Sequence, residues 1–261
     1  MECVGEVEVL SLCLATRPAV TPETLWQAWS FAPVITGPLL LVLAVYLWTR
    51  PRDGGWLRPA CFLAGWTLLA LALVSPLCRM AATLAWAHMV QHVILVAVAP
   101  PLLVLGGLPQ ANARMPGGPV AASVLYGVAI WVSHAPAVYQ GALADAVLHT
   151  LVVFGLVAVS VQFWRTVLAQ AGGAALMAVF LAMLLTGVLG ALLTFSPTPW
   201  YPVFTGGVAA WGLTPLEDQQ LAGLIMWVPM GAIYLVAGLG LAAKVVFGRG
   251  REAQRDGMAA H

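Results

Sequence analysis

Residues 174–195, AALMAVFLAMLLTGVLGALLTF, contain no charged side chain and no proline. An α-helix of about 20 such residues crosses the hydrocarbon layer of a bilayer, so this stretch reads as a membrane span. The rest of the chain repeats the pattern. Of its 261 residues 61% are hydrophobic and 8% charged, whereas a soluble domain carries about a quarter charged residues. A water-facing surface cannot be assembled from that composition. The charges are also clustered, with none at 59–77, 81–113, 115–144 or 166–216. A formal net charge of +1 and the lack of a Lys/Arg block argue against a nucleic-acid partner.

Hydrophobic runs and the breakers between them predict helices at 31–49, 59–77, 80–106, 119–133, 146–164, 174–195 and 219–247. The fold class expected is an all-α polytopic membrane protein, a bundle of seven transmembrane helices embedded in the lipid bilayer. Glycine and proline mark the connections at 51–55, 109–119, 134–136, 172–173 and 196–215. Pro100 and Pro101 predict a kink in the third helix. Thr21, Pro22 and Glu23 resemble a helix start, with Trp26 and Trp29 as interfacial anchors. The chain divides into three parts: an extracytoplasmic segment at 1–30, the membrane domain at 31–247 and a basic cytoplasmic tail at 248–261.

Orientation comes from the distribution of positive charge, because alternate loops of a bundle face opposite sides. One set of loops holds Arg50, Arg52, Arg58, Arg114, Arg165, Lys244, Arg249, Arg251 and Arg255, and the other holds Arg17 and Arg79. The larger set belongs on the cytoplasmic side, so the N-terminus is expected outside and the C-terminus inside. Glu2, Glu6 and Glu8 stand where a secretory signal would be basic, so the N-terminal segment is read as part of the mature chain. The four cysteines form no CxxC spacing, which removes zinc-ribbon and thioredoxin-like readings. Cys3 and Cys13 are open to either a disulfide or two free thiols.

Ionisable groups inside a bilayer are costly and mark candidate functional sites. Of the five histidines, His261 is terminal. The topology puts His88 and His92 in the first half of the third helix, His134 at the outer end of the fourth and His149 one turn into the fifth, all near the outer face. His88 and His92 are four residues apart, which stacks them on one helix face with Gln91 beside them. Met80, Met89, Met226 and Met230 are expected at similar depth, and Glu217, Asp218, Gln219 and Gln220 open the seventh helix on that side. Imidazole with thioether is a ligand set suited to copper. An isolated membrane histidine often only packs, and methionine is a common core filler; their gathering on one side is what points to a metal.

The run His88-Met89-Val90-Gln91-His92, continued by Ala99-Pro100-Pro101-Leu102-Leu103 and Gly106, resembles the CtaG family of multi-pass membrane cytochrome c oxidase assembly factors. Two further segments share the resemblance: His134-Ala135-Pro136 with Tyr139 and then His149, and 216–223 with Met226-Trp227. It implies a non-enzymatic respiratory-chain factor in a bacterial plasma membrane, aiding copper delivery to cytochrome c oxidase subunits with periplasmic copper chaperones as further partners. It also implies metal-handling roles for His88, His92, His134 and His149, with Asp218 and Met226 as weaker candidates. Val152 and Val153 stand where relatives carry a further histidine, so a last ligand would have to come from Met or Cys78.

Other functions fit the same residues. A copper transporter would need polar groups along the inner half, where Gln162 and Thr186 are about all there is. A b-type haem protein would use two opposed histidines such as His92 and His149. A metal-free scaffold for oxidase assembly would use the histidines for packing alone.

Overall fold

The computed structural model describes residues 14, 18–50, 55–108, 115–170, 172–204 and 206–259, with side chains to 247, and these are helical with connecting turns. Any pairing of Cys3 with Cys13 lies outside the described residues. The helices are α1 (Pro33–Thr49), α2 (Leu57–Val74), α3 (Pro76–Ala81), α4 (Ala85–His92), α5 (Ala99–Leu105), α6 (Gly118–His134), α7 (Pro136–Ala144), α8 (Ala146–Leu168), α9 (Gly173–Phe195) and α10 (Pro215–Ala259). A π-helical stretch, Val93–Val98, joins α4 to α5.

Among the described residues five stretches are long and apolar enough to cross a membrane: Leu57–Val74, Ala85–Leu105, Ala146–Leu168, Gly173–Phe195 and Pro215–Phe247. α6 and α7, bent by 68° at their junction, make a sixth if they form one crossing. α1 is a shorter apolar helix of 17 residues. Five or six crossings therefore meet the criterion where the sequence predicts seven.

Proline sets two of the breaks. Pro76 and Pro136 are first residues of α3 and α7, the one helical position where a missing N–H costs nothing. Proline also drives the residue before it into extended backbone, and Ser75 (ψ 173°) and Ala135 (ψ 129°) are there. The third predicted helix consequently begins at Ala85 rather than at 80, and Met80 belongs to α3. The predicted interfacial helix is a single 3-10 turn, Leu25–Gln27, with Trp26 exposed. α10 runs on beyond 247 to Ala259.

The crossing Ala85–Leu105 is the hub, 61% buried against 22–39% for the other four. It packs on α2, α8 and α10, while α9 lies along α10 and closes against α6. Small residues allow the close approaches typical of membrane helices. A Cβ on Gly106 would fall 2.5 Å from the Phe62 backbone of α2, and one on Gly223 of α10 would fall 2.6 Å from the Gly190 carbonyl of α9.

Pro100 and Pro101 leave one backbone acceptor without its helical donor. The Val96 carbonyl should receive an N–H four residues on in an α-helix, or five on in a π-helix, and both positions are prolines with none to give. Side chains from two other helices replace them: Trp164 Nε1–H donates to the Val96 oxygen at 3.0 Å and the Tyr126 hydroxyl at 3.4 Å. Tyr126 and Tyr234 share a second bond between their hydroxyls at 2.6 Å. A polar knot thus lies deep in the bundle and ties α6, α8 and α10 to the hub.

Candidate metal centre

One local device places two of the histidines. The residues around Ser75-Pro76 and around Ala135-Pro136 each end a long helix, start a short one and then begin a third, α4 or α8. His88 and His149 stand one turn into those third helices. Each donates its Nδ1–H to the carbonyl seven residues earlier at the end of the short helix: His88 to Ala81 at 3.2 Å, and His149 to Ala142 at 3.2 Å. His134 closes α6 and donates its Nδ1–H to Ile130 at 2.8 Å, beside the Ser133 hydroxyl at 3.1 Å.

These bonds fix the chemistry of the rings. A carbonyl can only accept, so Nδ1 carries the proton in each, and the neutral imidazole then keeps its lone pair on Nε2. The Nε2 atoms of His134 and His149 are buried and have no hydrogen-bond partner. A backbone-anchored Nδ1–H with a lone pair on the other nitrogen is how metal-binding histidines are commonly oriented.

Three rings meet directly. His88 and His92 are 4.3 Å apart between centroids, and His92 meets His134 edge-on at 5.1 Å. His149 makes no ring contact with them but lies within electrostatic reach of His88 and His92. All four are buried. Among the described residues no three His, Cys, Asp or Glu side chains converge closely enough to hold an ion by themselves.

Thioethers stand beside two of these rings. His92 and His134 share a cavity with Met89, Met226 and Met230, its other walls being aliphatic. About 10 Å³ is open to the centre of a water-sized sphere, room for a single water or small ion. Two imidazoles and three thioethers thus line one small cavity. Met80, also predicted at this level, is buried in α3 and does not line the cavity.

Asp218 does something else with its oxygens. Oδ2 accepts the Ala85 N–H at 2.8 Å and Oδ1 the Trp86 N–H at 3.0 Å, so the carboxylate caps α4 from a different helix. Glu217 is exposed and closes a capping box with Thr214, accepting from its N–H and its hydroxyl at 2.8 Å each. Cys78 is disulfide-bonded and Cys61 is a free thiol. That corrects the expectation that Cys78 could offer a thiolate as a last ligand, because its sulfur is already spent.

An aromatic cover closes the histidine end. Tyr139 of α7 stacks on Tyr201 at 4.2 Å and touches His88 at 4.6 Å, with Phe204 at its edge. The Tyr201 hydroxyl donates to the His134 carbonyl at 2.8 Å, and burial holds that hydroxyl above the ordinary tyrosine range. The Tyr139 hydroxyl is buried with no partner. Sequence reasoning missed this cover, since Tyr139 carried only the motif and Tyr201 reads first as an interface anchor.

One family model, described as cytochrome c oxidase caa3 assembly factor, matches residues 39–246. Neither curated proteins nor solved structures give a match.

Proposed function

We propose a function for this chain on one premise: it belongs to the cytochrome c oxidase caa3 assembly factor family. Within that role it is a non-catalytic factor that holds copper briefly at the histidine end of the bundle and passes it to an oxidase subunit. The observation that carries the reading is the shared orientation of His88, His134 and His149, whose Nδ1–H groups are all spent on backbone carbonyls. Three nitrogens thereby keep their lone pairs, and that of His134 belongs to the ring that shares a cavity with the thioethers of Met89, Met226 and Met230. Few and neutral ligands also suit a cargo that must leave again.

The histidine end is read as the outer face of a bacterial plasma membrane. Arg50, Arg58 and Arg165 lie at the other ends of their helices and Lys244 near the other end of the Pro215–Phe247 crossing, as cytoplasmic basic residues do. Cys78, at the histidine end, is disulfide-bonded, and such bonds persist in oxidising compartments. Taking α1 and the bent α6–α7 pair as crossings gives seven spans, with the N-terminus outside.

The test is the double variant His92→Ala with His134→Ala. Copper content of the detergent-purified protein and caa3 oxidase activity in cells lacking the native gene are both expected to fall. Unchanged bound copper would remove the metal role. Lost copper with normal oxidase activity would leave a scaffold that assembles the enzyme without delivering metal.

A further inference from the structure

We infer that the cavity between His92 and His134 is selective for a soft monovalent cation, Cu(I) or its redox-inert analogue Ag(I), over Cu(II) and Zn(II). The inference rests on the copper reading above and names the form of the ion.

The decisive quantity is charge. His92 and His134 line the cavity, imidazole binds metal as the uncharged ring, and Met89, Met226 and Met230 are neutral thioethers, each at most 3% exposed. Asp218 is the single buried carboxylate among the described residues, and both its oxygens are held by Ala85 and Trp86. The Cys78 sulfur is tied up in a disulfide. No anionic ligand therefore faces the ion. The cost of moving an ion out of water grows with the square of its charge, roughly fourfold higher for a dication than for a monocation of the same size. Carboxylates or thiolates would offset that cost most strongly for a dication, and this cavity presents neither, while its two imidazoles fall short of the three that hold zinc in an all-histidine site. Thioether sulfur adds a preference in the same direction, since soft ligands favour Cu(I) whereas Zn(II) is also at home with carboxylates. The space admits about one ion.

The experiment uses the full chain purified in detergent in chloride-free buffer. Separate samples are loaded with Ag(I), Zn(II) and Cu(II), desalted, and their metal measured by mass spectrometry. About one Ag(I) per chain should be retained, with Zn(II) and Cu(II) at least roughly tenfold less. Met226→Leu with Met230→Leu conserves core volume and should lower Ag(I) retention at least roughly tenfold. Met183→Leu, on α9 outside the cavity, should leave it unchanged. Zn(II) or Cu(II) retained as well as Ag(I), or Ag(I) retention indifferent to the paired methionine change, overturns the selectivity while leaving a metal-handling role intact. Failure to retain any of the three ions overturns both readings.

Discussion

Asp218 of α10 holds the first turn of the helix that begins at Ala85, taking the Ala85 N–H at 2.8 Å across 133 positions of sequence. Leu84, at the local cap position, offers no side-chain bond, so the orphan donors of that turn depend on a distant carboxylate. Asp218→Ala should cost about 2 kcal/mol or more, the penalty of leaving buried N–H groups unpaired. Asp218→Asn keeps one acceptor oxygen and should fall between. Thermal unfolding in detergent should rank wild type above Asn above Ala, and an unaltered Ala midpoint would mean the turn is satisfied otherwise.

Trp164 answers the carbonyl that two prolines leave without a donor. Trp164→Phe keeps an aromatic ring but removes the Nε1–H at 3.0 Å, leaving Val96 with the longer Tyr126 bond at 3.4 Å. A loss of about 1–3 kcal/mol is expected. Adding Tyr126→Phe should cost more than the sum of the two single changes, because each single variant retains one donor to the same oxygen. Unfolding midpoints of the four proteins make the cycle, and simple additivity would contradict the shared-acceptor account.

Gly223 is the point where α9 and α10 touch backbone to backbone. A side chain there would meet the Gly190 carbonyl at 2.6 Å and the Thr194 Oγ1 at 2.5 Å. Neither the carbonyl nor its helix can yield without opening the interface. Gly223→Val should therefore lose more than about 2 kcal/mol or fail to accumulate in the membrane, whereas Gly231→Val, which has open space, should accumulate normally. Immunoblots of membrane fractions would separate the two, and equal levels would discount the close contact.

Tyr201 gives the aromatic cover a pH dependence of known sign. Burial raises its hydroxyl above the ordinary value of 10.0, so the protonated form is favoured in the folded state. That stabilisation is whole below pH 10 and is lost as pH climbs above it. Tyr201→Phe should be less stable than wild type by about 1 kcal/mol at neutral pH, the worth of its bond to the His134 carbonyl, and the gap should shrink in strong alkali. A gap that stayed constant with pH would show that the bond does not respond to deprotonation.

Helices with an unbroken apolar run were legible from residues alone. The charge-free stretch ending at Phe195 and the His88, His92 pairing on one face needed only hydropathy and the helical repeat. The short helices were not, because Pro136–Ala144 lacks the length that periodicity needs and Pro76–Ala81 merges with the apolar run before it. The start of α10 could have been found, since Thr214-Pro215-Leu216-Glu217 is a capping box with proline at the first helical position. The family resemblance made Asp218 a weaker candidate ligand, and its capping of α4 through Ala85 and Trp86 is a tertiary contact that no local pattern announces. The contact between Tyr139 and Tyr201 joins residues too far apart in sequence for any local pattern to announce.

The π-helical stretch between α4 and α5 sets a phase. A wider turn holds one more residue than an α-turn, so α5 is rotated by about 100° relative to its place in an uninterrupted helix. Upstream of Val93 the helix aims imidazoles at α6, and downstream it aims Gly106 at Phe62 of α2. Deleting any one residue there would leave the histidines in place and swing the glycine seam out of register with its neighbour. A single additional amino acid thus lets one rod serve two differently angled tasks.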